Sequence, residues 1–189
     1  MTRKFLGILA LAAVLPILHG CFPLAVTGVG TAAVLASDRR TAGMYFEDEN
    51  IEWKAIARVN DKFNAAHVNA ISYNRKVLLV GEVPSEEMKK ALESEIRSIP
   101  SVVDVANELQ VAGNSSLTAR GNDTLLTSNV KTRMVNNGKF SPSHVKVVTE
   151  AGTVYLMGIV SPAEGDAAAE VARTTSGVRG VVKVFEYLK

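Results

Sequence analysis

HVNAISYNRKVLLVGEV, residues 67–83, and HVKVVTEAGTVYLMGIV, residues 144–160, are one pattern written twice at a constant offset of 77. In each copy a β-type apolar run is followed by turn residues, Asn74-Arg75 or Ala151-Gly152, and then by a second apolar run ending at Gly81-Glu82-Val83 or Gly158-Ile159-Val160. Two such runs joined by a short turn read as a β-hairpin. After a one-residue slip, VVDVANEL (102–109) meets VRGVVKVF (178–185), which adds a third strand to each copy. Self-similarity at a fixed period makes the chain a tandem of two homologous small domains.

Working outward, a helix precedes each hairpin. Apolar residues recur four apart at Ile51, Ala55 and Val59 in the first copy and at Leu126, Val130 and Met134 in the second, the spacing of one helix face. A second helix follows each hairpin. Ser161-Pro162-Ala163-Glu164 offers an N-cap serine, proline at the first helical position and glutamate three residues on, and Pro84-Ser85-Glu86-Glu87 does the same less cleanly. The final strands span Val102 to Val111 and Val178 to Leu188. The expected fold is α+β: two tandem αββαβ domains, each a three-stranded mixed sheet packed against two helices. The boundaries are residues 44–111 and 123–189, with the polar stretch AGNSSLTARGN (112–122) as linker. Units of about 65 to 75 residues are near the lower limit for folding alone, so packing the two together adds burial.

Residues 1–20 read as a secretory signal, with Arg3 and Lys4 ahead of an apolar run from Phe5 to Leu18. That run is shorter than the roughly 20 apolar residues of a membrane span. Leu18-His19-Gly20-Cys21 resembles the bacterial lipobox, in which the cysteine is acylated and becomes the first residue of the mature protein. Cys21 is the only cysteine, so no intramolecular disulfide is available. It is expected to carry the covalent lipid, with no other cofactor. Phe22, rather than aspartate, follows it, which in the sorting scheme this resembles directs a lipoprotein to the outer membrane. The expected location is therefore the outer membrane, lipid-anchored and facing the periplasm. Residues 21–43 form an acylated, flexible leader: FPLAVTGVGTAAVLA (22–36) is apolar but rich in glycine and threonine, a poor helix, and Asp38-Arg39-Arg40 marks the passage to the domains.

The chain carries 21 Lys and Arg against 19 Asp and Glu. Arg3 and Lys4 leave with the signal, so the mature protein is formally neutral. The charge is divided unevenly, however. Residues 44–111 hold 8 basic and 12 acidic side chains, and residues 112–189 hold 9 basic and 6 acidic. Attraction to an anionic surface is thus expected of the second domain alone.

The hairpin ending Val-x-Leu-x-Gly (Val77, Leu79, Gly81; Val154, Leu156, Gly158) and the closing Val-x-x-Val-x-Asn-x-Leu (Val102, Val105, Asn107, Leu109) resemble the BON domain. The second unit departs at the last motif, with Lys183 and Phe185. With lipobox and leader, the chain resembles the dual-BON outer-membrane lipoproteins associated with division and envelope stress. That resemblance implies binding of anionic phospholipid and support of outer-membrane integrity, through the first helix of the second domain.

Read on that helix, Asp123 is the expected cap. Leu125 lies about 100° round from the core stripe and should be exposed. Leu125, Leu126, Lys131, Arg133 and Lys139 are the expected lipid-binding residues, the apolar ones entering the acyl boundary while the cations meet phosphates. The family often has a bulky aromatic at the position of Leu125, so its interfacial anchor is reduced here. Trp53, the only tryptophan, sits in an acidic surround and is expected at the interface between domains. The alternative function is a protein adaptor that docks on outer-membrane protein assembly machinery through the acidic run Glu47, Asp48 and Glu49. Some relatives carry haemolysin labels, yet nothing after the signal resembles a pore-forming segment.

His67 and His144 occupy equivalent places, which repetition explains, and no carboxylate or cysteine stands at ligand spacing in sequence around either; no metal is expected. Gly81 and Gly158 are read as serving backbone geometry at strand ends. No G-x-S-x-G or phosphate-loop motif is present, so neither an enzyme nor a small-molecule substrate is expected. Scattered basic residues argue against nucleic acid.

Overall fold

The structure, a computed structural model, describes residues 37–189; the signal, Cys21 and most of the leader lie outside them. The first domain runs α1 (Ala42–Lys62), β1 (His67–Tyr73), β2 (Lys76–Val83), α2 (Glu86–Arg97), β3 (Asp104–Asn107) and β4 (Gln110–Val111). The second runs α3 (Leu117–Val135), a 3₁₀ turn (Pro142–His144), β5 (Val145–Glu150), β6 (Thr153–Val160), α4 (Pro162–Arg173) and β7 (Gly180–Tyr187). Each hairpin is antiparallel and each final strand lies parallel to the hairpin's second strand, giving mixed sheets ordered β1-β2-β3 and β5-β6-β7. The expected last strand of the first domain is interrupted: β3 and β4 both pair with β2, while Leu109 between them is buried.

Local chemistry accounts for the turns. Asn74 and Arg75 both take left-handed φ, as do Ala151 and Gly152, the combination that two-residue hairpin turns need to match strand twist. Gly81 has φ +120°, and a Cβ there would land on the carbonyl oxygen of His67; one at Gly158 would land on that of His144. The repeated glycine thus permits a close backbone approach across the hairpin. At α4 the expected capping box is present, with Ser161 Oγ accepting from Glu164 N–H and the Glu164 carboxylate accepting from Ser161 N–H.

Period-two alternation divides each central strand between two cores. Val77 and Leu79 face α1 and α2 together with Ile51, Ala55, Leu92 and Ile96. Val154, Leu156 and Val160 do likewise with Val130, Met134 and Ala168. The opposite faces meet each other: Tyr73, Leu78 and Val80 pack against Tyr155 and Met157. The domains therefore join sheet against sheet, and strands buried on both faces read as unbroken apolar runs.

Two expectations change here. Trp53 is not at the junction but 64 % exposed. With Ile51, Ala55 and Val59 turned to the core, the helical repeat puts Trp53 on the far side of α1. The linker is also shorter than residues 112–122, because α3 begins at Leu117. Ser116 caps it, accepting from Ala119 N–H at 3.2 Å, so Asp123 lies inside the helix rather than at its start.

Polar contacts rim the junction. Lys146 Nζ donates to Glu52 at 2.6 Å and Asn74 Nδ2 to Glu186 at 2.6 Å. The end of the leader straddles both domains. Arg40 pairs with Asp38 and Asp48 of the first while lying 4.1 Å from the Tyr73 ring centre, and Arg39 makes a bidentate pair with Glu164 of the second, both contacts 2.8 Å.

Candidate lipid-binding surface

Helix α3 buries Asp123, Leu126, Val130 and Met134, so its outward face is set by the remaining phases. Leu125 is 64 % exposed. Around it the stripe consists of Thr118, Gly121, Asn122, Asn129 and Thr132, polar but uncharged. Leu117 and Val135, at the two ends of the helix, are also exposed. The face is an isolated apolar point on a neutral ground, with further apolar side chains at its ends.

The structure separates the residues expected to join Leu125. Leu126 is buried against the sheet side and is not available to lipid. Arg133 is committed elsewhere: its guanidinium donates to the Val171 carbonyl at 3.1 Å, Thr175 Oγ1 at 2.7 Å and Thr174 Oγ1 at 3.1 Å. It holds the C-terminal end of α4, where unpaired carbonyls favour a cation. Arg58 does the same for α2, donating to the Glu95 carbonyl and Ser98 Oγ. Lys131 is exposed but lies about 120° round the helix from Leu125, on a cavity between the domains that it shares with Asp123 and Glu150. Lys139 is exposed in the loop after the helix.

Arg179 was missed because its partners are distant in sequence. It lines, with Leu125 and Asn129, a cavity of about 440 Å³ beside the β5–β6 turn. Its alkyl chain crosses Gly152, within contact distance of where a Cβ would stand, a closeness that glycine allows. Among the described residues Lys131, Lys139 and Arg179 form no ion pair, whereas Lys146, Arg173 and Lys183 do.

Asp123 has a structural task. Its carboxylate accepts from the N–H groups of Ala151 and Gly152 at 3.0 and 2.8 Å, fixing the hairpin turn to the helix. Asp48 is its counterpart, accepting from Asn74 N–H, Arg75 N–H and Ser72 Oγ at 2.7, 2.7 and 2.6 Å. Being 2 % exposed, Asp48 cannot serve as a docking acid, which leaves Glu47 and Glu49 of the acidic run. On the same helix Phe46, Trp53 and Ile56 form an exposed apolar stripe.

The histidines also differ from the sequence expectation. Carboxylates absent from the neighbourhood of His67 in sequence reach it through the fold: Glu82 is its cross-strand partner and Glu150 arrives from the second domain. Burial favours the neutral form of Glu82, but hydrogen bonds from Ser115 and His67 outweigh it and hold the carboxyl below its usual range. At Glu150 burial prevails over the Asn69 hydrogen bond and His67, and the pKa is raised. His144 lies 3.7 Å from Glu164, and hydrogen bonds from Arg39 and then Ser161 bring the Glu164 carboxyl down to about 2.

The sequence pattern of the BON domain matches residues 47–113 and again 122–189. The chain belongs to the BON-domain family. Its relatives include "Outer membrane lipoprotein DolP" of Haemophilus influenzae, 37 % identical over 90 % of each chain. "21 kDa hemolysin" of Actinobacillus pleuropneumoniae is 32 % identical over 80 % of each. "Osmotically-inducible protein Y" of Escherichia coli is 27 % identical over 77 % of this chain and 75 % of that one. The protein is a dual-BON outer-membrane lipoprotein. Among its described residues, no helix is long and apolar enough to cross a membrane.

Proposed function

We propose that this dual-BON protein is a non-enzymatic lipoprotein, anchored to the outer membrane through acylated Cys21 and facing the periplasm, that binds anionic phospholipid with α3 of its second domain. In doing so it supports outer-membrane integrity under envelope stress, a role in keeping with relatives named as an outer-membrane lipoprotein and as an osmotically inducible protein. The observation that carries the reading is Leu125, 64 % exposed on an uncharged helix face, with Arg179, which forms no ion pair among the described residues, on the same cavity. Leu125 enters the acyl boundary and Arg179 meets a headgroup phosphate, with Lys131 and Lys139 contributing from the flanks. The charge of this half of the chain, 9 basic to 6 acidic, favours an anionic surface.

Residues 37–189 lie in one compact unit, and that unacylated fragment is the material for the test. Co-sedimentation with vesicles should show binding to phosphatidylglycerol or cardiolipin vesicles and little to neutral ones; equal binding to both would sink the proposal.

A second reading rests on Phe46, Trp53 and Ile56. An exposed aromatic stripe beside Glu47 and Glu49 fits a protein better than an anionic membrane, making α1 the docking face of an adaptor for assembly machinery. Crosslinked partners that persist in Leu125→Glu and vanish in Trp53→Ala would establish it.

A further inference from the structure

We propose that His67, Glu82 and Glu150 form a binding site for one divalent cation of the zinc class, which clamps the two domains together. His67 Nδ1 lies 3.0 Å from Glu82 Oε2 and 3.8 Å from Glu150 Oε1, and each residue offers a ligand atom within 4.8 Å of the others. Ligands held about 2.0 to 2.2 Å from a tetrahedral ion stand little more than 3 Å apart, so small side-chain movements would close the triad. The side chains are 14, 7 and 6 % exposed. This is a built, enclosed cluster rather than a patch of surface acids.

The second observation is an orphan atom. Glu150 Oε2 accepts from Asn69 Nδ2 at 3.0 Å, but Oε1 is buried with no hydrogen-bond partner among the described residues. A buried carboxylate oxygen left without a donor is costly, and this one is aimed at His67 and Glu82. A cation between them would satisfy it and neutralise two carboxylates that the fold has brought together.

One imidazole and two carboxylates suit Zn²⁺, which accepts nitrogen and oxygen ligands in four-coordination. Mg²⁺ and Ca²⁺ seek six or more oxygens, which this cluster does not supply. His67 and Glu150 also line a cavity of about 520 Å³, from which water reaches the fourth position. The supporting contacts are in place: Ser115 N–H donates to Glu82 at 3.0 Å and Asn69 holds Glu150, the outer-shell bonds that orient metal ligands. Two ligands come from the first domain's hairpin and one from the second's, so binding energy becomes interdomain stability.

Calorimetric titration of the full-length acylated protein in detergent with ZnCl₂ at neutral pH tests this, alongside His67→Ala and Glu150→Gln and with MgCl₂ and CaCl₂ in place of zinc. Circular dichroism of each variant checks the fold, and Glu82→Gln replaces any variant that fails it. The expected result is one Zn²⁺ per chain, weakened at least about tenfold in each variant, with an unfolding midpoint that rises with zinc in the parent and stays fixed in Glu150→Gln. No saturable zinc binding, binding that the variants leave unchanged, or equal binding of Mg²⁺ would overturn the site.

Discussion

Replacing Asp48 with alanine should cost far more stability than the same change at Asp123, although the two occupy the same place in the repeat. Asp48 accepts three hydrogen bonds from the β1–β2 turn region and is also paired with Arg40 at 2.7 Å, the two side chains being 2 and 6 % exposed. Its removal strands two backbone N–H groups, a buried hydroxyl and one face of a buried guanidinium. Breaking a buried ion pair from one side costs about 3 to 5 kcal/mol, and the stranded donors add roughly 1 kcal/mol or more. Asp123 holds only the N–H groups of Ala151 and Gly152 and has no ion-pair partner among the described residues, so its loss should cost about 1 to 3 kcal/mol. Urea unfolding of parent, Asp48→Ala and Asp123→Ala measures both. Equal losses, or a loss below about 1 kcal/mol for Asp48→Ala, would refute the assignment of Asp48 as the buried post of the first domain. The result bears on function, since an adaptor test that neutralises Asp48 would read unfolding as lost docking; Glu47 and Glu49 are the acids to change.

Arg133→Ala should lower stability while leaving vesicle binding in place, because its donors are spent on α4. Arg179→Ala should instead weaken binding about fivefold, the worth of roughly 1 kcal/mol per cation at an anionic surface, at unchanged stability. Glu164 has its pKa depressed to about 2 from an ordinary 4.5, so its stabilising contribution is complete above about pH 4.5 and fades as the pH falls toward 2. Arg39→Ala should flatten that acid limb in unfolding midpoints recorded across the range. Trp53, as the only tryptophan, reports its own exposure: its emission should be water-like and readily quenched by acrylamide, and a blue-shifted, protected signal would put it back at a buried contact.

The reach of sequence reasoning followed the range of the interactions. Hairpins, helices and their order were legible because apolar period and turn residues act within a few positions, and the repeat supplied each reading twice. The phase of α1 was legible too, since Ile51, Ala55 and Val59 already place Trp53 on the opposite side; its acidic neighbours drew it wrongly to the junction. The true junction was written in the unbroken runs Val77 to Val80 and Val154 to Met157, which only a strand covered on both faces requires. Asp123 looked like a cap because aspartate usually is one near a helix start, and its real partners stand on a turn beyond the helix. Arg133 could have been recovered from the repeat, as Arg58 holds the equivalent place before the equivalent helix end. The His67 cluster lay beyond such reasoning, for Glu82 reaches it by strand register and Glu150 by the docking of one domain on the other.

An anchored domain is held at high local concentration beside its membrane, so weak contacts at α3 suffice to orient it. Leu125→Glu in the unacylated fragment tests that face most directly, by co-sedimentation with vesicles containing cardiolipin. Loss of one inserted leucine removes about 1.5 to 3 kcal/mol, so binding should fall about tenfold to a hundredfold with an unchanged unfolding curve. Undiminished binding by a folded Leu125→Glu fragment would contradict the account.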